Sequence, residues 1–324
     1  MTDGRSAPTS LDTAAIAHDD VSHRPARRPA SLAWRSLRRR PAFWSGSSLA
    51  ACLLVVAALA PLVAPHDPNH QFRETGTTAS GDPVGPGSEF PLGTDRQGRD
   101  YLSRLIFAGR MSLTIGIGGA AGATILGVLV GAVAGYAGRP RLRVGPLRVS
   151  IPVEDMLMRA TDVMLAIPTV LLAIALAWVF GPSAVLLVIL IAATLWMAPA
   201  RVVYGQVRAI RQADFVLAAQ AAGVGNCRTL VRHILPHVAP LIVVYGSMAV
   251  AAAILLEATL SYLGAGVGPP LATWGTMIAD HITWYATDPR LVALPAAAIM
   301  VAALAFNLMA DAMRDAFDPR TWNA

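Results

Sequence analysis

Long stretches without a charged residue constrain this chain more than any other feature of its sequence. Residues 163–200 contain no charged side chain over 38 consecutive positions, and Gly181-Pro182 lies near the middle of this run. About 20 apolar residues are enough to cross the hydrocarbon core of a bilayer. The run therefore predicts two membrane-spanning helices joined by a tight turn, in an all-α, polytopic membrane protein.

The remaining apolar runs bring the predicted number of spans to six. Charged residues make up 14% of the chain, whereas a soluble domain has roughly 25%. Six spans place both termini on the same side of the membrane. The predicted spans are residues 44–64, 111–138, 157–180, 184–204, 239–262 and 291–311.

The distribution of arginine predicts which side that is. If both termini are cytoplasmic, the four segments on their side of the membrane hold 8, 5, 5 and 2 arginines, or 20 of the 26 basic residues. Cytoplasmic loops of membrane proteins carry such an excess. We therefore expect a multi-pass membrane protein with both termini in the cytoplasm. The net charge of +6 is explained by this topology and by contact with anionic lipid headgroups, so no nucleic-acid partner is expected.

The chemistry available to the chain argues against an enzyme. All 26 basic residues are arginine, and a P-loop needs a lysine on the nucleotide phosphates. No Ser-His-Asp arrangement, HExxH or CxxC motif is present. We expect no catalytic residue, no cofactor and no metal site. His233 and His237 are interpreted as helix-end hydrogen-bonding groups, and Cys52 and Cys227 as inert.

Composition shifts along the chain predict four regions. Residues 1–33 are interpreted as a disordered cytoplasmic tail and residues 34–66 as an N-terminal transmembrane segment. Residues 67–110 are predicted to be an external loop without a core of its own, followed by an amphipathic helix at the membrane interface. In that helix Arg96, Arg99, Arg104 and Arg110 are expected to point away from the apolar face. Residues 111–320 form the core, with a cytoplasmic loop at 205–237.

Small residues dominate one polar segment of that loop, Asp214–His237, whose sequence is DFVLAAQAAGVGNCRTLVRHILPH. Small side chains let a helix approach another surface closely, and Gly223 and Gly225 permit a tight turn. Little room for a side chain is expected at Gly223. Asn226 is predicted to cap a second short helix that ends at Pro236. This segment is expected to be a docking element on the aqueous side of the membrane.

The segment closely resembles the cytoplasmic EAA loop of permease subunits in ATP-binding-cassette (ABC) importers. Ala218-Ala219, Gly223 and Leu235-Pro236 are in register with the family pattern. Leu217 replaces the usual Glu, and His233 replaces the usual Ile. The resemblance implies that this loop contacts partner ATPases, and the residues it assigns to ATPase coupling are Asp214, Leu217, Ala218, Ala219, Gln220, Gly223, Leu235 and Pro236.

Three further segments are similar to the dipeptide, oligopeptide and nickel branch of this family. They are PLGTDRQGRDYLSRLIFAGRMSL at residues 91–113, the run from Leu263 to Val267 with Pro269-Pro270 and Trp274-Gly275, and the end from Asn307 to Arg320. One departure is an insertion-like stretch at Arg141–Pro152. The resemblance covers about residues 35–320 and implies the MetI-like permease fold in the bacterial cytoplasmic membrane.

The resemblance also implies a function and a set of partners. The expected function is ATP-driven import of dipeptides or oligopeptides, with nickel import as the alternative within the branch. The expected partners are a homologous second permease subunit, cytoplasmic ATP-binding subunits, an extracytoplasmic substrate-binding protein and membrane lipid. A secondary transporter or channel is the competing class, because intramembrane carboxylates could then bind a driving ion.

Few charged residues lie inside the predicted spans. Glu257, with Ser261 nearby, is assigned to the outer part of the translocation path, where it could tune the path or hold two helices together. Asp162 and Asp311 lie near span ends and are expected to be wetted or paired with Arg159 or Arg314. The closely spaced glycines of the second span predict tight helix contact, either within this chain or with a partner subunit.

Overall fold

The computed structural model describes residues 37–38, 40–137, 141–144, 147–150, 152–181 and 183–317. The predicted tail at residues 1–33 lies outside these ranges. The α-helices of four or more residues are α1 (Pro41–Ala58), α2 (Ala60–Val63), α3 (Tyr101–Ala137), α4 (Val153–Ala166), α5 (Thr169–Phe180), α6 (Ala184–Leu195), α7 (Met197–Ile210), α8 (Asp214–Ala221), α9 (Asn226–Thr229), α10 (Leu235–Leu260), α11 (Trp274–His281) and α12 (Arg290–Phe317). Two π-helical segments, Leu230–Ile234 and Ser261–Ala265, flank α10, and a 3₁₀ turn, Ile282–Trp284, follows α11.

The apolar helices confirm the predicted all-α membrane fold. Four helical segments are long and apolar enough to cross a bilayer, and two bent helix pairs raise the possible number of spans to six. The described residues add one short antiparallel hairpin, with β1 (Arg141–Val144) paired to β2 (Leu147–Ser150). This hairpin occupies the insertion-like stretch that the sequence singled out.

The predicted span 157–180 is not one straight helix. Helices α4 and α5 meet at an angle of 87°, and α6 and α7 meet at 44°. Ile167 between α4 and α5 is extended, with φ −85° and ψ 128°. A residue that precedes proline is sterically disfavoured from the helical region, so Pro168 explains why α4 ends there. Apolar composition alone gave no sign of this bend.

Helix α3 is the central element of the bundle. It packs against α6, α7 and α10. Its 37 residues span about 56 Å at 1.5 Å per residue, well beyond a hydrocarbon core of about 30 Å. The amphipathic interface helix expected before span two forms the first turns of α3 rather than a separate element.

Glycines bring α3 close to its neighbours within this chain. A methyl group at Gly119 would lie 2.5 Å from Cγ2 of Ile191 on α6, and one at Gly127 would lie 2.7 Å from Cβ of Pro199 on α7. Small residues allow such close helix contact without a solvent-driven hydrophobic force. Of the two alternatives left open by the sequence, packing within the subunit explains these glycines.

The bundle has two distinct ends. At one end, which we call the loop end, residues 64–100 cover the start of α3, and the Tyr101 hydroxyl donates to the Leu291 carbonyl at 2.5 Å. Helices α3 and α12 therefore start close together at this end. At the opposite end, which we call the docking end, Arg40 before α1 pairs with Asp315 near the end of α12 at 2.6 Å. The described chain thus begins and ends on the same side.

The loop at residues 67–92 has a small core, which the sequence analysis did not expect. The rings of Phe72 and Phe90 lie 5.1 Å apart, and His66 lies 5.5 Å from Phe90. Phe90 is buried. Arg290 at the start of α12 donates to the carbonyl oxygens of Leu92 and Val84 at 2.7 and 2.9 Å, so the loop is fastened to the helix bundle.

Candidate functional site

The segment Asp214–His237 forms a helix–turn–helix at the docking end, and we call it the docking element. Helix α8 ends in a Schellman motif, in which the Val224 amide donates to the Ala219 carbonyl and the Gly223 amide donates to the Gln220 carbonyl. Such a motif needs a residue in the left-handed region just past the helix. Gly223 supplies it with φ +80°, as predicted for this turn.

The space around Gly223 corrects one expectation. A Cβ atom added there would meet no atom of this chain within 4 Å. The constraint on this position within the subunit is therefore its backbone conformation and not crowding. Gly225, two residues later, is equally open but has an ordinary φ of −62°.

The second half of the docking element also differs from the prediction. Asn226 does not cap α9, because the N-cap residue is Gly225. The Oδ1 atom of Asn226 instead accepts a hydrogen bond from the Tyr136 hydroxyl at 3.1 Å. Pro236 does not end the second helix. It lies in the first turn of α10, and the helical path continues through the π-helical segment from Asn226 to Ala265. Proline has no amide to continue an α-helical hydrogen-bond ladder, and the π-helical segment Leu230–Ile234 lies directly before α10, so the hydrogen-bond pattern changes at this point.

A buried apolar cluster anchors the docking element to the bundle. Val216 on α8 and Ile234 are both fully buried, and they pack with Val207 on α7 and Val238 on α10. Gln220 also donates to the Tyr136 hydroxyl at 3.3 Å at the end of α3. The docking element is thus held by α3, α7 and α10 together.

The opposite face of the docking element is open. Leu217 is 50% exposed and Val231 is 57% exposed, which leaves apolar surface beside small residues. The aromatic ring of Phe215 stacks on His237 at 4.9 Å, and His237 Nδ1 contacts the His233 carbonyl at 2.8 Å. Of the residues assigned to ATPase coupling, Ala219 and Leu235 are half-buried and the others are exposed: Asp214, Leu217, Ala218, Gln220, Gly223 and Pro236.

Glu257 occupies a different place, in the interior of the bundle towards the loop end. Its side chain is 0% exposed. Oε1 accepts from the Ser261 hydroxyl at 2.6 Å, and Oε2 accepts from the Ser112 hydroxyl of α3 at 3.0 Å. The Ser112 oxygen in turn accepts from the backbone amide of Trp274 at 3.1 Å. The carboxyl group therefore joins α10, α3 and the start of α11.

Glycines close this region around the carboxyl group. A Cβ at Gly275 would lie 2.6 Å from the Ala258 carbonyl, and one at Gly266 would lie 2.6 Å from the Ser261 hydroxyl. One at Gly109 would lie 2.7 Å from the Trp274 ring. The Gly-rich and Trp-Gly segments that suggested the branch are thus the packing surface around Glu257. The sequence analysis did not connect Ser112 or Trp274 with Glu257. The only signal was the Trp274-Gly275 pair, which was noted there as part of a family motif.

Two other intramembrane carboxylates were predicted to lie near span ends. Asp162 pairs with Arg201 on α7, a partner different from the two expected. Asp311 is exposed. Nearby at the docking end, Glu154 accepts from the Tyr204 hydroxyl at 2.5 Å and pairs with Arg208 at 3.1 Å. These contacts brace α4 against α7, and the sequence analysis did not single them out.

Two arginines at the loop end contradict the expected amphipathic pattern. Arg99 and Arg104 were expected to point away from the apolar face, but both are buried. Arg99 binds Asp95 at 2.6 Å, and Arg104 lies 3.6 Å from the same carboxylate. Buried charges need partners, and Asp95 supplies one for this pair.

Comparisons with known proteins agree with this architecture. Residues 123–323 match the family described as binding-protein-dependent transport system inner membrane component. Residues 28–78 match the N-terminal TM domain of oligopeptide transport permease C.

Curated relatives extend the similarity to nearly the whole chain. A di/tripeptide transport system permease protein, DppC, of Pseudomonas aeruginosa is 37% identical over 90% of this chain and 92% of its own length. An oligopeptide transport system permease protein, OppC, of Haemophilus influenzae is 32% identical over 89% and 88%. A dipeptide transport system permease protein, DppC, of Bacillus subtilis is 31% identical over 93% and 89%.

The family match at residues 123–323 includes both the docking element and Glu257, and the alignments cover almost the full length of the relatives. Members of this family are transport components and not enzymes. This chain therefore belongs to the binding-protein-dependent transport system inner membrane components, the permease subunits of ABC importers.

Proposed function

We propose that this chain is one of two permease subunits of an importer that uses ATP to move dipeptides or oligopeptides into the bacterial cytoplasm. The observation that carries the proposal is the docking element, which is firmly anchored on one face and open on the other. The substrate class is supported by the names of the relatives, which are peptide transport permeases. No comparable observation favours nickel.

The proposed orientation places the docking end and both termini in the cytoplasm. It is supported by the excess of arginine in the segments at that end and by the Arg40–Asp315 pair, which holds the two ends of the described chain together. The loop end then faces outside, where a substrate-binding protein delivers peptide. A homologous second permease would complete the path.

The proposed mechanism is alternating access driven by the ATPases. The docking element moves with the nucleotide-binding subunits when they close on ATP. Val216 and Ile234 transmit that movement to α7 and α10, because these buried side chains tie the element to the spans. Coupling requires contacts that differ between the two ATPase states, and the open face of small residues between Ala218 and Gly223 is the surface proposed to make them.

Glu257 is proposed to brace the outer part of the path. Its complete burial and its two serine donors support bracing over a direct role on the path surface. Ser261 acts with it as a hydrogen-bond donor. These contacts would keep α3, α10 and α11 in a fixed arrangement while the docking end moves.

Reconstitution of the complete importer in proteoliposomes tests this function. We expect uptake of radiolabelled trialanine when the binding protein is outside and ATP is inside. A matched control replaces the P-loop lysine of the ATPase subunits with alanine, and uptake should then cease. Uptake driven by an ion gradient without ATP would instead identify a secondary transporter, and uptake of nickel with no uptake of peptide would identify the alternative substrate.

A further inference from the structure

A cavity at the loop end has no role in the function described so far. It has a volume of about 430 Å³ and lies between the first turns of α3 and the segment before α11. Its apolar lining includes Phe107, Met111 and Leu271. Small-molecule sites usually have volumes of about 300–1,000 Å³, mostly apolar walls and a few placed polar groups. Neither Glu257 nor the docking element contributes to its lining.

Arg104 is the buried charged side chain of this cavity. It is 5% exposed, and its Nε and Nη1 have no hydrogen-bond acceptor in the described part of the chain. The nearest carboxylate oxygens belong to Asp95, 3.6 Å from Nε, and Asp280, 3.9 Å from Nη2. Both separations are longer than a hydrogen bond. A buried guanidinium with unused donors is costly, and a bound acceptor would remove that cost.

The neighbouring charges leave room for an added anion. Asp95 already accepts from Arg99 at 2.6 Å, and Asp280 is half exposed to solvent. Arg110 lines the same cavity and makes no ion pair with the described residues. The lining itself contains two guanidinium groups and no carboxylate. The cavity is therefore suited to a small anionic group.

We propose that this cavity binds the C-terminal carboxylate of the imported peptide on the outer side of the path, an inference that rests on the proposed function. Every unmodified peptide carries this group whatever its sequence. A guanidinium can offer a carboxylate two parallel N–H donors, and the apolar walls would contact the last side chain. Arg104 is thus assigned to recognition of a feature shared by all substrates.

Uptake of trialanine and of trialanine amide by the reconstituted importer tests the assignment. The amide lacks the carboxylate, and the same binding protein is used throughout, so its own preference is common to all variants. Thr114→Glu places a carboxylate in the cavity without removing any arginine, and Thr114→Gln is its neutral control. Arg104→Lys keeps the positive charge but loses the two parallel N–H donors of the guanidinium, and Arg104→Gln loses both. Arg73→Gln is a control that removes an exposed arginine outside the cavity.

We expect Thr114→Glu to lower trialanine uptake about tenfold relative to Thr114→Gln, the effect of losing one charge-assisted hydrogen bond. Arg104→Gln and Arg104→Lys should lower the ratio of acid to amide uptake, whereas Arg73→Gln should leave it unchanged. Equal trialanine uptake by the two Thr114 variants overturns the inference, as does an unchanged ratio in both Arg104 variants, which would show that Arg104 serves a protein contact. Failure of the wild-type complex to import either dialanine or trialanine overturns the proposed function, and this inference with it.

Discussion

At the residue scale, the two most distinctive positions of the chain are constrained for different reasons. Glu257 is constrained by its hydrogen bonds from Ser112 and Ser261, and Ser112 in turn accepts from the Trp274 amide. Gly223 is constrained by its own backbone, since nothing in the chain approaches it. The first constraint concerns stability of the bundle, and the second concerns the shape that the docking element offers to a partner.

Removal of the Glu257 carboxyl group should destabilise the subunit. Glu257→Ala leaves the Ser112 and Ser261 hydroxyls buried without their acceptor, at a cost of about 1–3 kcal/mol for each unsatisfied group. Thermal unfolding of the purified complex in detergent measures the effect. Leu255→Ala, on the exposed side of the same helix, is the control. An unfolding temperature of Glu257→Ala as high as that of Leu255→Ala would contradict the bracing role.

Alanine at Gly223 should impair docking, while alanine at Gly225 should not. Both substitutions add the same methyl group in open space, but only Gly223 has a positive φ, and an L-residue there costs roughly 1–2 kcal/mol. We expect Gly223→Ala to reduce co-purification of the ATPase subunits severalfold and Gly225→Ala to retain it. Equal behaviour of the two variants would show that conformation at Gly223 is not what matters.

At the element scale, the docking element and α3 show how small residues serve two purposes. In α8 the alanines leave an open face, whereas the glycines of α3 bring its backbone against α6 and α7. Both helices are rich in small residues, and the position of neighbouring helices separates an exposed stripe from a packed one.

Adjacent residues of α8 should have separable effects. Val216→Ala removes buried contacts with Val207 and Ile234 and should speed amide hydrogen exchange in residues 214–221 of the complex. Leu217→Glu changes an exposed side chain in the first turn of the helix, where a negative charge is favourable, and should leave both exchange and uptake near wild type. Equal exchange rates in the two variants would argue against Val216 as the anchor.

Neighbouring glycines of α3 should also differ. A methyl group at Gly119 would lie 2.5 Å from the Ile191 side chain, whereas one at Gly118 would lie 3.4 Å from Val188. Overpacking of this kind typically costs 1–3 kcal/mol, so Gly119→Ala should lower the unfolding temperature of the complex. Gly118→Ala, in ordinary contact, should not lower it. The interpretation fails if the two substitutions are equally tolerated.

At the scale of the whole molecule, the two ends of the bundle have different surfaces and different proposed environments. The loop end carries a small aromatic core, the Asp95 ion cluster and the cavity beside Arg104. The docking end carries the exposed face around Leu217 and both ends of the described chain. This asymmetry matches the proposed direction of transport, with substrate arriving at one end and ATP used at the other.

Thiol labelling in spheroplasts tests this orientation. Cys227 is exposed in the docking element, so a membrane-impermeant maleimide should label it only after permeabilisation. In a variant with Cys52→Ser and Cys227→Ser, a Ser88→Cys substitution in the exposed loop should be labelled in intact spheroplasts. Labelling of Cys227 in intact spheroplasts would reverse the proposed topology.

The sequence by itself determined the membrane class, the position of the apolar segments, the docking element and the family, since hydropathy, arginine bias and motif spacing are local properties of the chain. It could not determine which of the charged and polar residues in and beside the apolar segments are buried together. Ser112 and Glu257 are 145 residues apart, and Asp162 meets an arginine on another helix. The burial of Arg99 and Arg104, the 87° bend and the open space around Gly223 were decided only by the tertiary structure. The physical reason is that a buried charge or a close backbone contact depends on the partner brought to it, and helix packing supplies that partner from distant sequence.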